Sequence, residues 1–211
     1  MQLKLIKKEN ISEDIFLFTF AMPSPLGWRA GQHMAFHLPH LNPDALGSKR
    51  TFSILSTPQE GEIKVLTHCG SPSTSFKRAL RLLKPGSFIE ASRPKGKFVM
   101  HDPSKEHIFV AGGVGIAAIR CMLADLDQRN IPIKATLFYN HTSSLFPLKQ
   151  ELEVLERRHP RFHIHYFVDP HLTEYGRIKE RVSALRDYPI YMSGLYIQRI
   201  ITLFNYHKVT K

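Results

Sequence analysis

Two short stretches of this chain carry residue types suited to redox-cofactor chemistry. Arg50-Thr51-Phe52-Ser53 offers a guanidinium, a phenyl ring and a hydroxyl within one extended segment. A flavin needs a cation for its phosphates, an aromatic or apolar face for its flat ring, and a hydroxyl or N–H near N5. In a strand, Arg50 and Phe52 share one face and Ser53 points to the other, so a ring has to meet this segment near an edge or a bend. Taken alone, the tetrapeptide also reads as an ordinary alternating strand.

The second stretch is Ala111-Gly112-Gly113-Val114-Gly115-Ile116. From Gly113 to Ala118 it fits G-x-G-x-x-A, the dinucleotide fingerprint, and it follows an apolar strand and opens a helix. Glycines let the backbone approach a pyrophosphate, and the helix N-terminus offers free N–H groups and the positive end of its dipole. Gly112, Gly113, Gly115 and Ile116 are the candidate contacts. The acidic residue expected at the end of the next strand is absent. Tyr139-Asn140-His141 stands there, and an asparagine can still hydrogen-bond a ribose. Without a ligand, the same loop is a glycine-rich strand-to-helix turn.

These stretches must be positioned by two different kinds of scaffold. The first hundred residues read as strands over 2–8, 14–21, 33–38, 50–55, 62–68 and 87–92, with one helix near 74–83. Turn signals at Pro23 to Gly27, Asn42-Pro43-Asp44, Pro58 to Gly61 and Lys84-Pro85-Gly86 separate them. Six antiparallel strands with one helix predict a small closed barrel. After His101-Asp102-Pro103 the rhythm changes. Strands at 108–111, 133–139, 162–168 and 190–192 alternate with helices near 115–128, 147–157, 177–185 and 196–205. That alternation predicts a parallel sheet covered by helices on both faces. The expected domains are 1–102, a barrel, and 103–211, an α/β unit.

Composition narrows the function classes. The 211 residues suit two compact domains, and 43% hydrophobic content supports ordinary cores. No apolar run reaches the roughly 18 residues that a membrane helix needs. Residues 1–8 alternate apolar and charged side chains, which reads as an amphipathic strand and makes the cytoplasm the default. Cys69 and Cys121 build neither a disulfide framework nor a metal cluster and read as small buried apolar residues. His163 and His165 share a strand face without carboxylate or cysteine company, so no metal site is expected. A net charge of +11 favours acidic partners. The basic residues are dispersed, however, and no nucleic-acid-binding signature is present. Lys77, Arg78, Arg81 and Lys84 cover much of one helix and suit either a solvated face or the docking of an acidic electron carrier.

The sequence resembles the ferredoxin reductase-like family of flavoprotein reductases along nearly its whole length. Arg50-Thr51-Phe52-Ser53 matches that family's Arg-x-Tyr/Phe-Ser flavin motif. The match implies Arg50 on the flavin phosphates, Phe52 against the isoalloxazine and Ser53 near N5. Ala30-Gly31-Gln32 is similar to the Pro-Gly-Gln turn before the next barrel strand. Gly70-Ser71-Pro72-Ser73-Thr74-Ser75 resembles the Gly-x-x-Ser segment that holds the flavin pyrophosphate. Ser73 and Ser75 both qualify as its serine, with Thr74 as a further contact. Pro94 to Phe98 is similar to the strand before the domain junction, with Arg93 in place of a glycine. Met192-Ser193-Gly194 stands where the family shows Cys-Gly-Pro, which puts Ser193 near the point of hydride transfer.

The resemblance implies FAD, ahead of FMN, as cofactor. It implies NAD(P)H as electron donor, and an acceptor such as a ferredoxin. Departures cluster in the second half. Ala117-Ala118 replaces a hydroxyl residue and a proline, Ser193 replaces a cysteine, Leu195 replaces a proline, and few residues follow Gly194, so the nicotinamide half is expected to be shortened. The alternative expectation is a flavin-binding subunit or redox sensor without its own NAD(P)H turnover. Arg177 and Lys179 are candidates for a coenzyme 2′-phosphate.

Overall fold

A computed structural model describes residues 1–12, 14–23, 26–168 and 189–193. Its first half is a six-stranded antiparallel sheet made of β1 (Gln2–Ser12), β2 (Ile15–Ala21), β3 (His33–His37), β4 (Lys49–Ser53), β5 (Glu62–His68) and β6 (Phe88–Ala91). The strand order is β4-β3-β6-β1-β2-β5. The two edges meet just beyond β4. Leu55 N donates to Lys64 O at 2.8 Å, Ser56 Oγ donates to Glu62 O at 2.6 Å, and Lys64 N donates back to Ser56 Oγ at 3.0 Å. Those bonds close the sheet into the expected barrel and remove its free edges.

The alternation of β2 serves two cores at once. Phe16, Phe18 and Phe20 fill the barrel interior, while Ile15 packs outward into the cluster of the second unit, with Leu17 against it. Successive side chains of a strand point to opposite faces, so one apolar strand can line both. Beyond β4 the chain repeats the pattern, with Phe52 and Ile54 inside the barrel and Leu55 in the outer cluster.

The second half is a four-stranded parallel sheet of β7 (His107–Gly112), β8 (Lys134–His141), β9 (Arg161–Val168) and β10 (Ile190–Ser193), in the order β10-β7-β8-β9. Two described helices, α2 (Ile116–Gln128) and α3 (Lys149–Arg158), join one core cluster with Phe109, Ala111, Leu137 and Tyr139. Helix α2 is buried along most of its circumference because it lies between the sheet and the barrel residues Ile15, Leu55 and Leu66. An all-round apolar helix is what such a sandwiched position requires. The helices expected over 177–185 and 196–205 lie outside the described residues. No described helix is long and apolar enough to cross a membrane.

Polar contacts pin the two halves together. Arg120 of α2 pairs with Glu60 of the barrel and Glu151 of α3, and its Nη1 donates to Leu55 O at 3.2 Å. Thr57 Oγ1 donates to Gln128 Oε1 at 2.5 Å, and Cys121 Sγ contacts Ser56 O at 3.0 Å. Cys69 and Cys121 are both free and buried, as expected. Burial pushes the Cys121 thiol up to about 12, which leaves it inert.

Candidate functional site

Strand β4 presents the first motif. It pairs with β3 in the register Phe36↔Arg50, Met34↔Phe52 and His33↔Ser53. Arg50 and Phe52 share the inward face but at different depths. Arg50 sits at the mouth, its guanidinium 5.5 Å from the centre of the Phe76 ring. Phe52 is 9% exposed and packs between Phe36 and Phe76, with ring centres 5.6 and 6.0 Å away. Phe52 therefore lies in the barrel core. The alternation that aims Arg50 at the mouth turns residue 52 inward, so only the edge of the Phe52 ring is left to a ligand. Thr51 is exposed opposite Ala35, and Ser53 is half-buried on the other face, opposite His33.

Helix α1 (Ser75–Leu82) brings the second set of groups to Arg50. Thr74 is its N-cap, and Thr74 Oγ1 accepts from Lys77 N at 3.3 Å. Ser75 Oγ is already committed. It accepts from Asp44 N at 2.9 Å and lies 2.9 Å from His40 Nε2. Because His40 Nδ1 meets the Leu38 carbonyl at 2.7 Å, that nitrogen carries the proton in the neutral ring, and Nε2 receives the Ser75 hydroxyl. Ser73 Oγ is different, being buried with no partner. Of the two serines left open by the sequence, Ser73 is the one with an unused hydroxyl. Gly70 is explained by packing, since a Cβ there would lie 2.2 Å from Asp14 Oδ2.

Two cations face this helix start. Arg50 Nη1 donates to the carbonyls of Leu46, Gly47 and Lys49 at 2.8, 3.0 and 2.6 Å, so the guanidinium is held in place. Lys77 is half-buried beside it, and burial, with some repulsion from Arg50, lowers its ammonium pKa. A fixed guanidinium, a second cation, a spare buried hydroxyl and a helix N-terminus form a donor set that fits a phosphate.

The glycine loop lies at the carboxyl end of β7. Gly112 ends the strand opposite Asn140, and residues 113–115 make a 3-10 turn into α2. Gly113 has φ +52°, which favours glycine. Gly112 has ordinary extended φ, yet a Cβ there would meet nothing within 4 Å. Its bareness leaves open space above the strand end, as the close approach of a dinucleotide requires. Gly115 is buried at the start of α2. Ile116 lies wholly in the core, and its N–H is spent on Gly113 O and Val114 O, so it is a packing residue and supplies no contact. Ala117 and Ala118 also point into protein. Asn140 is 4% exposed, and its Nδ2 is a buried donor without a partner at the same strand end. Sequence reasoning named Asn140 only as a substitute for a missing acid; its orphaned amide marks it as a donor awaiting an acceptor.

The glycine turn lies against the barrel. The turn at 113–115 packs against β5, the strand to which the β4 exit closes. Ser193 ends β10 beside Ala111, at the same carboxyl edge as the glycine loop. Gly194, Leu195, Arg177 and Lys179 lie outside the described residues. Among the described residues no cluster of metal-ligating side chains occurs.

Comparisons with known proteins bear on the fold and on the first half of the chain. Residues 2–100 match the family described as the oxidoreductase FAD-binding domain. The reductase component of phenol 2-monooxygenase from Pseudomonas sp. (strain CF600) is 32% identical over 143 residues, covering 65% of this chain and 38% of that protein. The phthalate 4,5-dioxygenase reductase subunit of Pseudomonas putida is 31% identical over 65% of this chain and 42% of its own length. NADH-cytochrome b5 reductase 1 of Pyricularia oryzae is 25% identical over 80% of this chain and 58% of its own. The chain thus spans roughly two fifths to three fifths of these curated relatives. Among solved structures, the Amycolatopsis cytochrome P450 reductase GcoB superposes with a TM-score of 0.80 at 17% identity, covering 99% of this chain and 68% of that one. Ferredoxin-NADP+ reductase from Plasmodium falciparum superposes with a TM-score of 0.77 at 17% identity, covering 98% and 92%; at that identity the likeness shows the shared two-unit fold. Residues 2–100 thus match the oxidoreductase FAD-binding domain family, and the chain as a whole is similar to ferredoxin reductase-like flavoproteins, whose two-unit fold it shares.

Proposed function

We propose that this chain is an FAD-dependent NAD(P)H oxidoreductase, with residues 1–102 as the flavin-binding barrel and 103–211 as the NAD(P)-binding unit. When bound, FAD supplies the redox chemistry, taking a hydride from NAD(P)H and releasing electrons to an acceptor one or two at a time. The observation that carries this reading is a phosphate-type donor set at β4 and α1 together with an open glycine turn that packs against β5, the neighbour of β4.

The chain's own residues position and screen. Arg50, Lys77, Ser73 and the amides at the start of α1 hold the flavin phosphates. Gly70, Thr74 and Ser75 shape the backbone around them. Thr51 lines the exposed flank of β4, and Ser53 stands where a hydroxyl is needed at the ring's N5 edge. Gly112, Gly113 and Gly115 receive the dinucleotide, and Ser193 faces the transfer point in place of a cysteine. Arg120 keeps the spacing of the two halves constant. The relatives named above include reductase components of oxygenases, which supports a protein acceptor. An acidic carrier such as a ferredoxin would suit Lys77, Arg78, Arg81 and Lys84. The proposed setting is the cytoplasm, where thiols such as Cys69 and Cys121 stay reduced.

One observation favours a second reading, a flavin-binding subunit or redox sensor without independent turnover. Ala117 and Ala118 turn into the core, so no hydroxyl reaches a pyrophosphate from the start of α2. Anaerobic mixing of the purified yellow protein with NADH or NADPH separates the two. Rapid loss of the flavin absorbance supports the oxidoreductase. Retained colour with both coenzymes supports the subunit, and protein that stays colourless after FAD reconstitution refutes both.

A further inference from the structure

We propose that Asp44 is a built-in gate on the phosphate site: its carboxylate stands between Arg50 and the first amide of α1, where a flavin phosphate belongs, and has to leave with its loop for flavin to bind. This rests on the flavin reading above.

The geometry is that of an internal anion. Asp44 Oδ1 lies 3.2 Å from Arg50 Nη2, and Asp44 Oδ2 accepts from Ser75 N at 2.6 Å. One carboxylate therefore bridges the guanidinium and the helix N-terminus, the two donors that the family motif assigns to a phosphate. A carboxylate and a phosphate cannot share those donors, because two anions at that separation repel. The hydrogen bond from the Ser75 amide, reinforced by the Ser75 hydroxyl, the Leu46 amide and Arg50, outweighs the loss of solvation and holds the carboxyl below its ordinary range, so it is ionised at neutral pH.

The loop is built to come away. Residues 41–48 contain no strand or helix, and Asn42 and Gly47 have φ of +50° and +67° at its two ends. Leu41 and Leu46 are 92% and 68% exposed, so neither leucine tethers the loop by apolar burial. What holds it down is polar: the Asp44 carboxylate on Arg50 and the Ser75 amide, the Asp44 amide on Ser75 Oγ, Arg50 Nη1 on the Leu46 and Gly47 carbonyls, and Leu38 N on Ser48 O at the loop's end. When the loop leaves, the bonds from Arg50 Nη1 to the Leu46 and Gly47 carbonyls go with it, while the bond to the Lys49 carbonyl of β4 at 2.6 Å and the contact with the Phe76 ring, 5.5 Å from its centre, keep the guanidinium at the start of α1. Ser73 Oγ, unpartnered in the closed arrangement, then gains an acceptor.

The test is titration of the flavin-free 211-residue chain with FAD, FMN and riboflavin, read by quenching of flavin fluorescence. Asp44→Asn keeps the size and removes the charge. It should bind FAD and FMN tighter by about tenfold or more, with riboflavin, which has no phosphate, unchanged. Asp44→Ala should behave alike if the asparagine variant misfolds. Unchanged or weaker FAD binding in the variants overturns the gate while leaving the flavin reading intact. Folded protein, wild type and variant, that binds neither FAD nor FMN refutes the flavin reading and the gate with it. Hydrogen exchange on the wild type gives a second readout. The Leu46 amide donates to Asp44 Oδ1 at 3.0 Å, so FAD should speed its exchange. Protection that persists with FAD bound overturns the gate.

Discussion

The Tyr139 hydroxyl lies 3.2 Å from the carbonyl oxygen of Gly113 and 3.3 Å from that of Pro147. Tyr139 is wholly buried at the end of β8, and burial raises its pKa well above the ordinary tyrosine value, so the proton is always there to donate. One side chain thus ties the glycine turn to the loop that precedes α3. Tyr139→Phe keeps the ring and releases the turn. Loss of one buried hydrogen bond costs about 1 kcal/mol of stability. The KM for NAD(P)H is expected to rise about threefold to tenfold, with FAD affinity unchanged, because the tether acts on the dinucleotide loop alone. Steady-state kinetics and flavin titration on the same variant check this.

Ser73 and Ser75 should separate cleanly. Ser73→Ala removes a hydroxyl that has no partner, so the flavin-free protein should lose no stability. Its FAD affinity should drop about tenfold through the missing bond to a charged acceptor. Ser75→Ala breaks the link between Asp44 and His40 and should lower the stability of the flavin-free form by about 1 kcal/mol. Thermal melts of the flavin-free proteins and flavin titrations give both numbers. Equal effects from the two substitutions would contradict the assignment of Ser73.

Arg120 is the polar hinge pin between the halves. Its side chain is 11% exposed and that of Glu60 14%. Arg120→Met takes the guanidinium from Glu60 and Glu151, leaving Glu60 only Lys64 at 3.2 Å, and should cost about 3 kcal/mol in denaturant unfolding. The double variant with Glu60→Gln should lose less than the sum of the two single losses. Burial raises the pKa of Glu60, but the hydrogen bond and charge of Arg120, with Lys64, outweigh it and hold the carboxyl below 4.5. A depressed carboxyl stabilises the fold above its unfolded value and loses that effect as pH falls through the folded one. Acidification below about pH 4.5 should therefore remove the advantage of wild type over Arg120→Met.

His107 sets a second, higher pH window. It is 2% exposed, stacks on Phe109 with ring centres 6.2 Å apart, and its Nε2 is buried without a partner. Burial, aided by Lys105, lowers its pKa below 6.5 against the opposing backbone hydrogen bond with Lys105 and the charge of Asp102. The unfolded chain takes up the proton first, so stability falls as pH drops through 6.5 toward the folded value, and no effect remains above 6.5. His33, lowered by burial and by Lys95, adds to the same slope. His107→Phe should reduce the fall in melting temperature between pH 7.5 and 5.5. A variant with the wild-type slope would exclude His107 as its source.

Much of the architecture was legible from pattern. Phe16, Phe18 and Phe20 at period two announced a buried strand, and β2 is one. The apolar run before Gly112 and the glycine spacing after it placed β7 and α2 within a residue or two. The site was legible in part. Arg50 and the start of α1 lie together, joined through the Asp44 carboxylate. The burial of Phe52 in the barrel and of Ile116 in the second core was not legible, because a motif states which residues recur but not how deep each sits. Asp44 was read only as turn chemistry, and its carboxylate reaches Arg50 solely because the loop folds back over β4.

Local periodicity and turn chemistry determined the strands, the helices and the change from antiparallel to alternating halves, since these depend on neighbours two to four residues apart. The tertiary structure alone decided which hydroxyl is spare, which ring is buried, and which anion faces the guanidinium. Those outcomes depend on contacts such as Asp44 with Ser75, 31 residues apart, and on competition among donors and acceptors that no short window of the chain contains.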